Sequence, residues 1–152
     1  MRIPKQVLII PYRNIDDKIE YCIFKRKDMS VWQWIAGGAE DFDVNILESA
    51  KRELEEETKI KDVQIQQLEL TCKIPVVNIV KDFIWGEDVF YSEEYAFYAN
   101  INNKKIQLSN EHTEYKWVDY NEAKSLLKYD SNKSALWELD TKLKRESDKN
   151  GE

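Results

Sequence analysis

The 152-residue sequence is poor in residues that staple a chain or span a membrane. Its two cysteines, Cys22 and Cys72, lie in strand-like segments without paired metal spacing, which argues against a disulfide framework or thiolate metal centre and for reduced, buried thiols. No apolar run approaches the ~20 residues of a membrane span, and the opening "MRIPKQVLIIPYR" has too short an apolar stretch for a secretory signal. Positive charge is outnumbered: 23 Lys and Arg face 29 Asp and Glu, for a net charge of −6, which argues against broad attraction to nucleic acid or anionic membrane. Internal repeats, low-complexity tracts and a dividing linker are also missing, so one domain able to bury its own core is expected. A cytoplasmic protein with no membrane partner and no stable nucleic-acid partner follows, its oligomeric state open.

What the chain has is a change of period. "KQVLIIPYR" and "IEYCIFKRK" flank the turn-prone "NIDD" and predict a hairpin, and "VWQWIA" predicts a third, short strand. After a turn at "GGAEDFD", Asn45 caps a helix running to about Thr58, with Glu48 as its capping-box partner. Strands are expected at 63 to 77, 93 to 101 and 114 to 118. "NEAKSLLKY" and "SNKSALWELDTKLK" then carry apolar residues at helical spacing. The domain is expected to occupy residues 1–144, and the polar ending, 145–152, to fray.

The helix at "SAKRELEEETKI" poses a physical problem, because like charges at helical spacing repel. On a wheel of about 100° per residue, Leu47, Ala50, Leu54 and Thr58 form the packing stripe. Glu53, Glu56 and Glu57 fill an arc at the core's edge and should sit half-buried, side by side. Glu48, Lys51, Arg52, Glu55 and Glu56 can pair at four-residue spacing, whereas Glu53 has only Ser49, Ala50, Glu56 and Glu57 at those positions. A hard divalent ion such as Mg²⁺, which takes oxygen ligands and shares its remaining positions with phosphates, would relieve that repulsion. The plainer alternative is a solvated acidic face.

"GGAEDFDVNILESAKRELEEETKI" resembles the Nudix box: Gly38, Arg52, Glu53, Leu54, Glu56, Glu57 and Ile60 all fall in register. Two positions depart from the box, Val44 at its first glutamate and Lys59 at its late glycine; Asp43 could stand in for that glutamate only with a shifted loop. "EHTEYKWVDYNEAKSLLKYDSNKSALWEL" is similar to the branch that includes dihydroneopterin triphosphate pyrophosphatase, also described as a dATP pyrophosphohydrolase. The resemblance implies an α/β/α sandwich with a mixed sheet, the box helix on one face and the C-terminal helices on the other.

By the same resemblance, Glu53, Glu56, Glu57 and Glu111 bind Mg²⁺ (with Mn²⁺ as a substitute), the Gly37 carbonyl adds a ligand, Arg52 orients the carboxylates, and Glu53 or Glu111 acts as base. Glu114 is the fallback for Glu111. The implied reaction is hydrolysis of a diphosphate linkage in a dATP-like nucleoside triphosphate or in dihydroneopterin triphosphate, releasing a monophosphate and pyrophosphate. Arg26 is the candidate phosphate contact, and Trp32, Phe83 and Trp85 are candidates for stacking on the base or pterin. His112, the lone histidine, is expected to be structural. The departures at Val44 and Lys59 suggest a second reading, a nucleotide-binding or sensor module with weakened catalysis.

Overall fold

Residues 7–10, Val-Leu-Ile-Ile, are all buried, and alternation along one strand sends them to two different cores. They belong to β1 (Arg2–Ile15), the central strand of the computed structural model, which describes residues 1–150. Val7 and Ile9 join one apolar cluster with Ala50 and Leu54, while Leu8 and Ile10 join another with Leu136, Leu139 and Leu143. A strand covered on both faces reads as a continuous apolar run.

The remaining elements are β2 (Lys18–Arg26), β3 (Trp32–Gln33), β4 (Ile35–Glu40), α1 (Ile46–Thr58), β5 (Ile65–Pro75), a 3-10 turn (Val76–Asn78), β6 (Tyr91–Asn100), β7 (His112–Val118), α2 (Tyr120–Leu126) and α3 (Asp130–Asn150). The order β3-β2-β1-β6-β5 forms the sheet's path, with β4 also pairing β1 and β7 pairing β2. β1 and β6 run parallel and the other pairs antiparallel, so the sheet is mixed. α1 packs on one face and α2 and α3 supply the other face's core, giving the expected α/β/α sandwich.

The β1–β2 hairpin forms as expected, turning at Asp16 and Asp17, both left-handed at φ 52° and 65°. Three local expectations need correction. The "VWQWIA" strand divides into β3 and β4 at Trp34, whose backbone N–H and indole N–H donate to the Asn132 side chain and carbonyl, both at 2.9 Å. Gly37 and Gly38 lie within β4, paired with Val7 and Gln6, rather than in a turn. The segment expected to fray continues α3 through Asn150; residues 151–152 lie outside the described residues. Both cysteines are free thiols, Cys22 buried and Cys72 partly so. No described helix is long and apolar enough to cross a membrane.

Candidate active site

α1 begins where Asn45 accepts a hydrogen bond from the Glu48 N–H at 2.9 Å. The reciprocal half of the capping box is missing, because the Glu48 carboxylate turns to Lys51 at 3.3 Å. Ala50, Leu54 and Thr58 are buried in the helix's docking stripe. The acidic arc is less uniform than a helical wheel suggests: Glu53 and Glu57 are buried, at 7% and 3% exposure, whereas Glu56 is exposed.

Arg52 organises this arc. Its Nη1 donates to Glu53 Oε1 at 3.0 Å and to Glu56 Oε1 at 3.4 Å, while Nη2 reaches the Gly38 carbonyl at 3.0 Å. Glu53 is therefore not without a cation on its own helix; spacing rules for the i+3 and i+4 neighbours overlook the adjacent guanidinium. Burial pushes the Glu53 carboxyl up to about 7, with Glu56 adding to the rise and Arg52 opposing it. Glu53 also packs onto the backbone of β4. A Cβ on Gly37 would lie 2.1 Å from its carboxyl carbon, so this close approach requires glycine.

The loop before α1 resolves the Val44 departure. Val44 is 87% exposed, and Asp43 does the bonding instead. Asp43 Oδ1 accepts from Arg52 Nε at 3.2 Å; Oδ2 accepts from Arg52 Nη2 at 3.0 Å, Ser49 Oγ at 2.6 Å and the Glu40 N–H at 2.8 Å. The Arg52 hydrogen bonds are the main reason the Asp43 carboxyl is lowered to about 2. The other departure, Lys59, occupies the helix C-cap in the left-handed conformation at φ 63°, ψ 15°, where glycine would fit without a Cβ penalty.

Glu57 points to a neighbouring group of residues. Its Oε2 accepts from Ser109 Oγ at 2.5 Å and lies 2.7 Å from His112 Nδ1, whose N–H is the donor to a carboxylate. Burial would raise Glu57, but the His112 and Ser109 hydrogen bonds outweigh it and hold the carboxyl below its usual range. Glu111 is raised by burial and by Glu57, with which it shares a hydrogen bond. His112 thus joins the site as a positioning group, a role that a lone histidine in sequence does not disclose. Glu114, the fallback for Glu111, instead lies 3.7 Å from Lys25 at the exposed end of β7.

A cleft of about 480 Å³ brings together Arg26, Gly37, Arg52, Glu53, Glu56 and Glu111; buried Glu57 does not line it. It also contains Arg2, Gln6 and Asn78, which the motif spacing could not reveal. Trp32, Phe83 and Trp85 do not line it. Trp32 packs against the core of α2 and α3, and Phe83 stands edge-on to Phe90 at 6.2 Å. The Trp85 indole N–H is committed to the Arg2 carbonyl at 2.7 Å. A second cleft, of about 530 Å³, follows the other flank of α1 past Val44, Glu48 and Glu55, and contains none of Glu53, Glu56 and Glu57.

The donors around the first cleft are hard oxygens, chemistry that suits Mg²⁺ or a similar cation. Among the described residues, however, no three acidic, histidine or cysteine side chains converge on one metal position. Arg52 draws Glu53 and Glu56 to one side, while His112 and Ser109 draw Glu57 to the other. Closing a coordination sphere therefore calls for side-chain rotation, which is cheapest for exposed Glu56.

The NUDIX domain model matches residues 4–138. A solved structure from Listeria monocytogenes, described as a NUDIX hydrolase by resemblance, is 36% identical, covers 95% of this chain and 97% of its own, and superposes with a TM-score of 0.85. The dihydroneopterin triphosphate diphosphatase of Escherichia coli K12 is 28% identical over 137 residues, 88% of this chain and 89% of that protein. The structure of the E. coli dihydroneopterin triphosphate pyrophosphohydrolase shares the fold, with a TM-score of 0.72 at 23% identity over 89% of this chain and 93% of that one.

Proposed function

Since the chain belongs to the NUDIX family and is a Nudix hydrolase, we propose that it is a Mg²⁺-dependent pyrophosphohydrolase of a dATP-like nucleoside triphosphate or dihydroneopterin triphosphate. The products are the monophosphate and pyrophosphate. Similarity to the E. coli diphosphatase supports this substrate class. The observation that carries the reading is the gathering of the Gly38 carbonyl, Glu53 and Glu56 on the wall of one cleft by one arginine, itself held by Asp43.

In this reading Glu53, Glu56, Glu57, Glu111 and the Gly37 carbonyl hold the ion. When bound, the ion supplies charge neutralisation and orientation of the phosphate oxygens. Arg52 fixes the Glu53 carboxylate through Nη1 and ties α1 to β4 through the Gly38 carbonyl. Glu53 or Glu111 takes the proton of the attacking water; burial raises both carboxyls and brings Glu53 to about 7, which suits a base working near neutral pH. His112 and Ser109 keep Glu57 ionised and aimed. Arg26, paired with Asp28 at 2.8 Å, stands at the cleft's rim as a phosphate contact. Residues 1–144 are proposed to suffice for this activity.

Catalytic weakening is the less supported reading, because Asp43 replaces the bonding expected from a glutamate at 44 and Lys59 adopts the glycine-like cap. Incubation with a panel of nucleoside and pterin triphosphates and Mg²⁺, measuring pyrophosphate against orthophosphate, tests the proposal. Pyrophosphate from at least one triphosphate is expected. Orthophosphate alone, or no turnover across the panel, refutes it.

A further inference from the structure

Triphosphates are strongly anionic, yet the cleft is lined by Glu40, Glu53, Glu56 and Glu111, so cationic side chains must help receive the substrate. Three arginines line it. Two are already engaged: Arg26 grips Asp28 through Nε and Nη2 at 3.0 and 2.8 Å, and Arg52 is held by Asp43, Glu53 and Glu56. The third, Arg2, makes no ion pair among the described residues.

We propose that Arg2 is the guanidinium that binds the phosphate chain of the substrate, an inference that rests on the triphosphate reading above. The Arg2 Nη2 makes a single long hydrogen bond, 3.3 Å to Gln6 Oε1. Its Nε–H is buried and has no protein partner. Guanidinium N–H groups form a planar fork that matches two phosphate oxygens, and a buried donor left unpaired is costly unless a ligand accepts from it.

The position of Arg2 is also built. A Cβ on Gly38 would lie 2.2 Å from Arg2 Nε, so the glycine that presents its carbonyl to Arg52 also makes room for the Arg2 side chain. Trp85 donates its indole N–H to the Arg2 carbonyl at 2.7 Å, and Arg2 lies opposite Glu40 in the β1–β4 register. Gly38 thus separates two arginines with different work. Arg52 is saturated with carboxylates and positions α1, while Arg2, in the same cleft, has no carboxylate partner among the described residues.

The test compares wild type with Arg2→Gln and Arg2→Met, which remove the charge while keeping much of the stem. The expected result is a tenfold or greater rise in KM for the hydrolysed triphosphate, a smaller change in kcat, and a parallel weakening of inhibition by inorganic pyrophosphate. Either folded variant with wild-type KM and wild-type pyrophosphate inhibition overturns the proposal. A measurement on the unmodified protein covers the case in which both variants unfold: the Arg2 Nε–H NMR resonance should shift on titration with inorganic pyrophosphate. An unmoved resonance overturns the assignment. Lack of turnover by wild type counts against the triphosphate reading, while the pyrophosphate titration still decides the role of Arg2.

Discussion

Asp43 and Arg52 meet through two parallel hydrogen bonds, Oδ1 to Nε at 3.2 Å and Oδ2 to Nη2 at 3.0 Å, with Asp43's side chain only 7% exposed. This pair fastens the loop after β4 to the middle of α1. Asp43→Asn should cost about 2 kcal/mol, the scale of a charge-assisted hydrogen bond, and lower kcat by releasing Arg52 from its place beside Glu53. Val44→Ala should be nearly silent, since that side chain is 87% exposed. Urea unfolding and steady-state kinetics on both variants check this. The pair also predicts acid lability: the carboxyl is lowered from 3.8 to about 2, so its contribution is complete above about pH 4 and is lost as pH falls toward 2.

Glu56→Gln and Glu57→Gln should both cut turnover by orders of magnitude, yet differ in stability. Glu56 is exposed and makes one 3.4 Å contact, so its variant should melt like wild type. Glu57 is 3% exposed and bonded to Ser109 and His112, so its variant should lose about 1–3 kcal/mol. Thermal melts paired with pyrophosphate release distinguish the two, and near-normal hydrolysis by either variant would refute its proposed role.

Gly37→Ala introduces a methyl 2.1 Å from the Glu53 carboxyl carbon, and the carboxylate has to move. Activity should collapse while the sheet persists, because β4 has no positive φ at this position. A crystal structure of the variant showing Glu53 unmoved would contradict the packing described here.

Lys59→Gly should stabilise the protein by about 1 kcal/mol, because a non-glycine residue pays a penalty in the left-handed region. The Lys59 backbone N–H already caps the helix through the Glu55 carbonyl at 2.8 Å, and glycine keeps that bond. A rise in the urea midpoint at unchanged slope is the expected reading; no gain, or a loss, would show that the lysine side chain compensates elsewhere.

Glu94 is buried at 6% exposure, and burial raises its carboxyl from 4.5 to about 7 despite a hydrogen bond with Ser131. Between those values the folded protein holds a proton that the unfolded chain has released, so stability falls as pH rises from 4.5 to 7. Glu94→Gln removes this loss. Its advantage over wild type should be larger at pH 8 than at pH 5 by a margin on the order of 3 kcal/mol, measured by chemical denaturation at both pH values. An advantage equal at the two pH values would dissociate Glu94 from the effect.

The order of elements and the identity of the box helix were legible in sequence, because strand propensity, helical periodicity and the Arg-Glu spacing are local properties of the chain. The motif places Gly37 near Arg52, Glu53 and Glu56, whereas Arg26 and Glu111 lie outside it, and the fold brings all six to one cleft. Tertiary structure alone decided which neighbour each charge meets. A wheel ranks Glu53, Glu56 and Glu57 alike, but β4 covers Glu53, the Ser109–His112 segment covers Glu57, and solvent keeps Glu56. The aromatic candidates failed for the same reason: a ring's composition gives its capacity to stack, whereas the packing of Trp32 and the Trp85–Arg2 bond determine where that capacity is spent. Asp43 was visible only as a neighbour of the motif position, and Arg2 not at all, until the folded loop and strand brought them to Arg52 and Gly38.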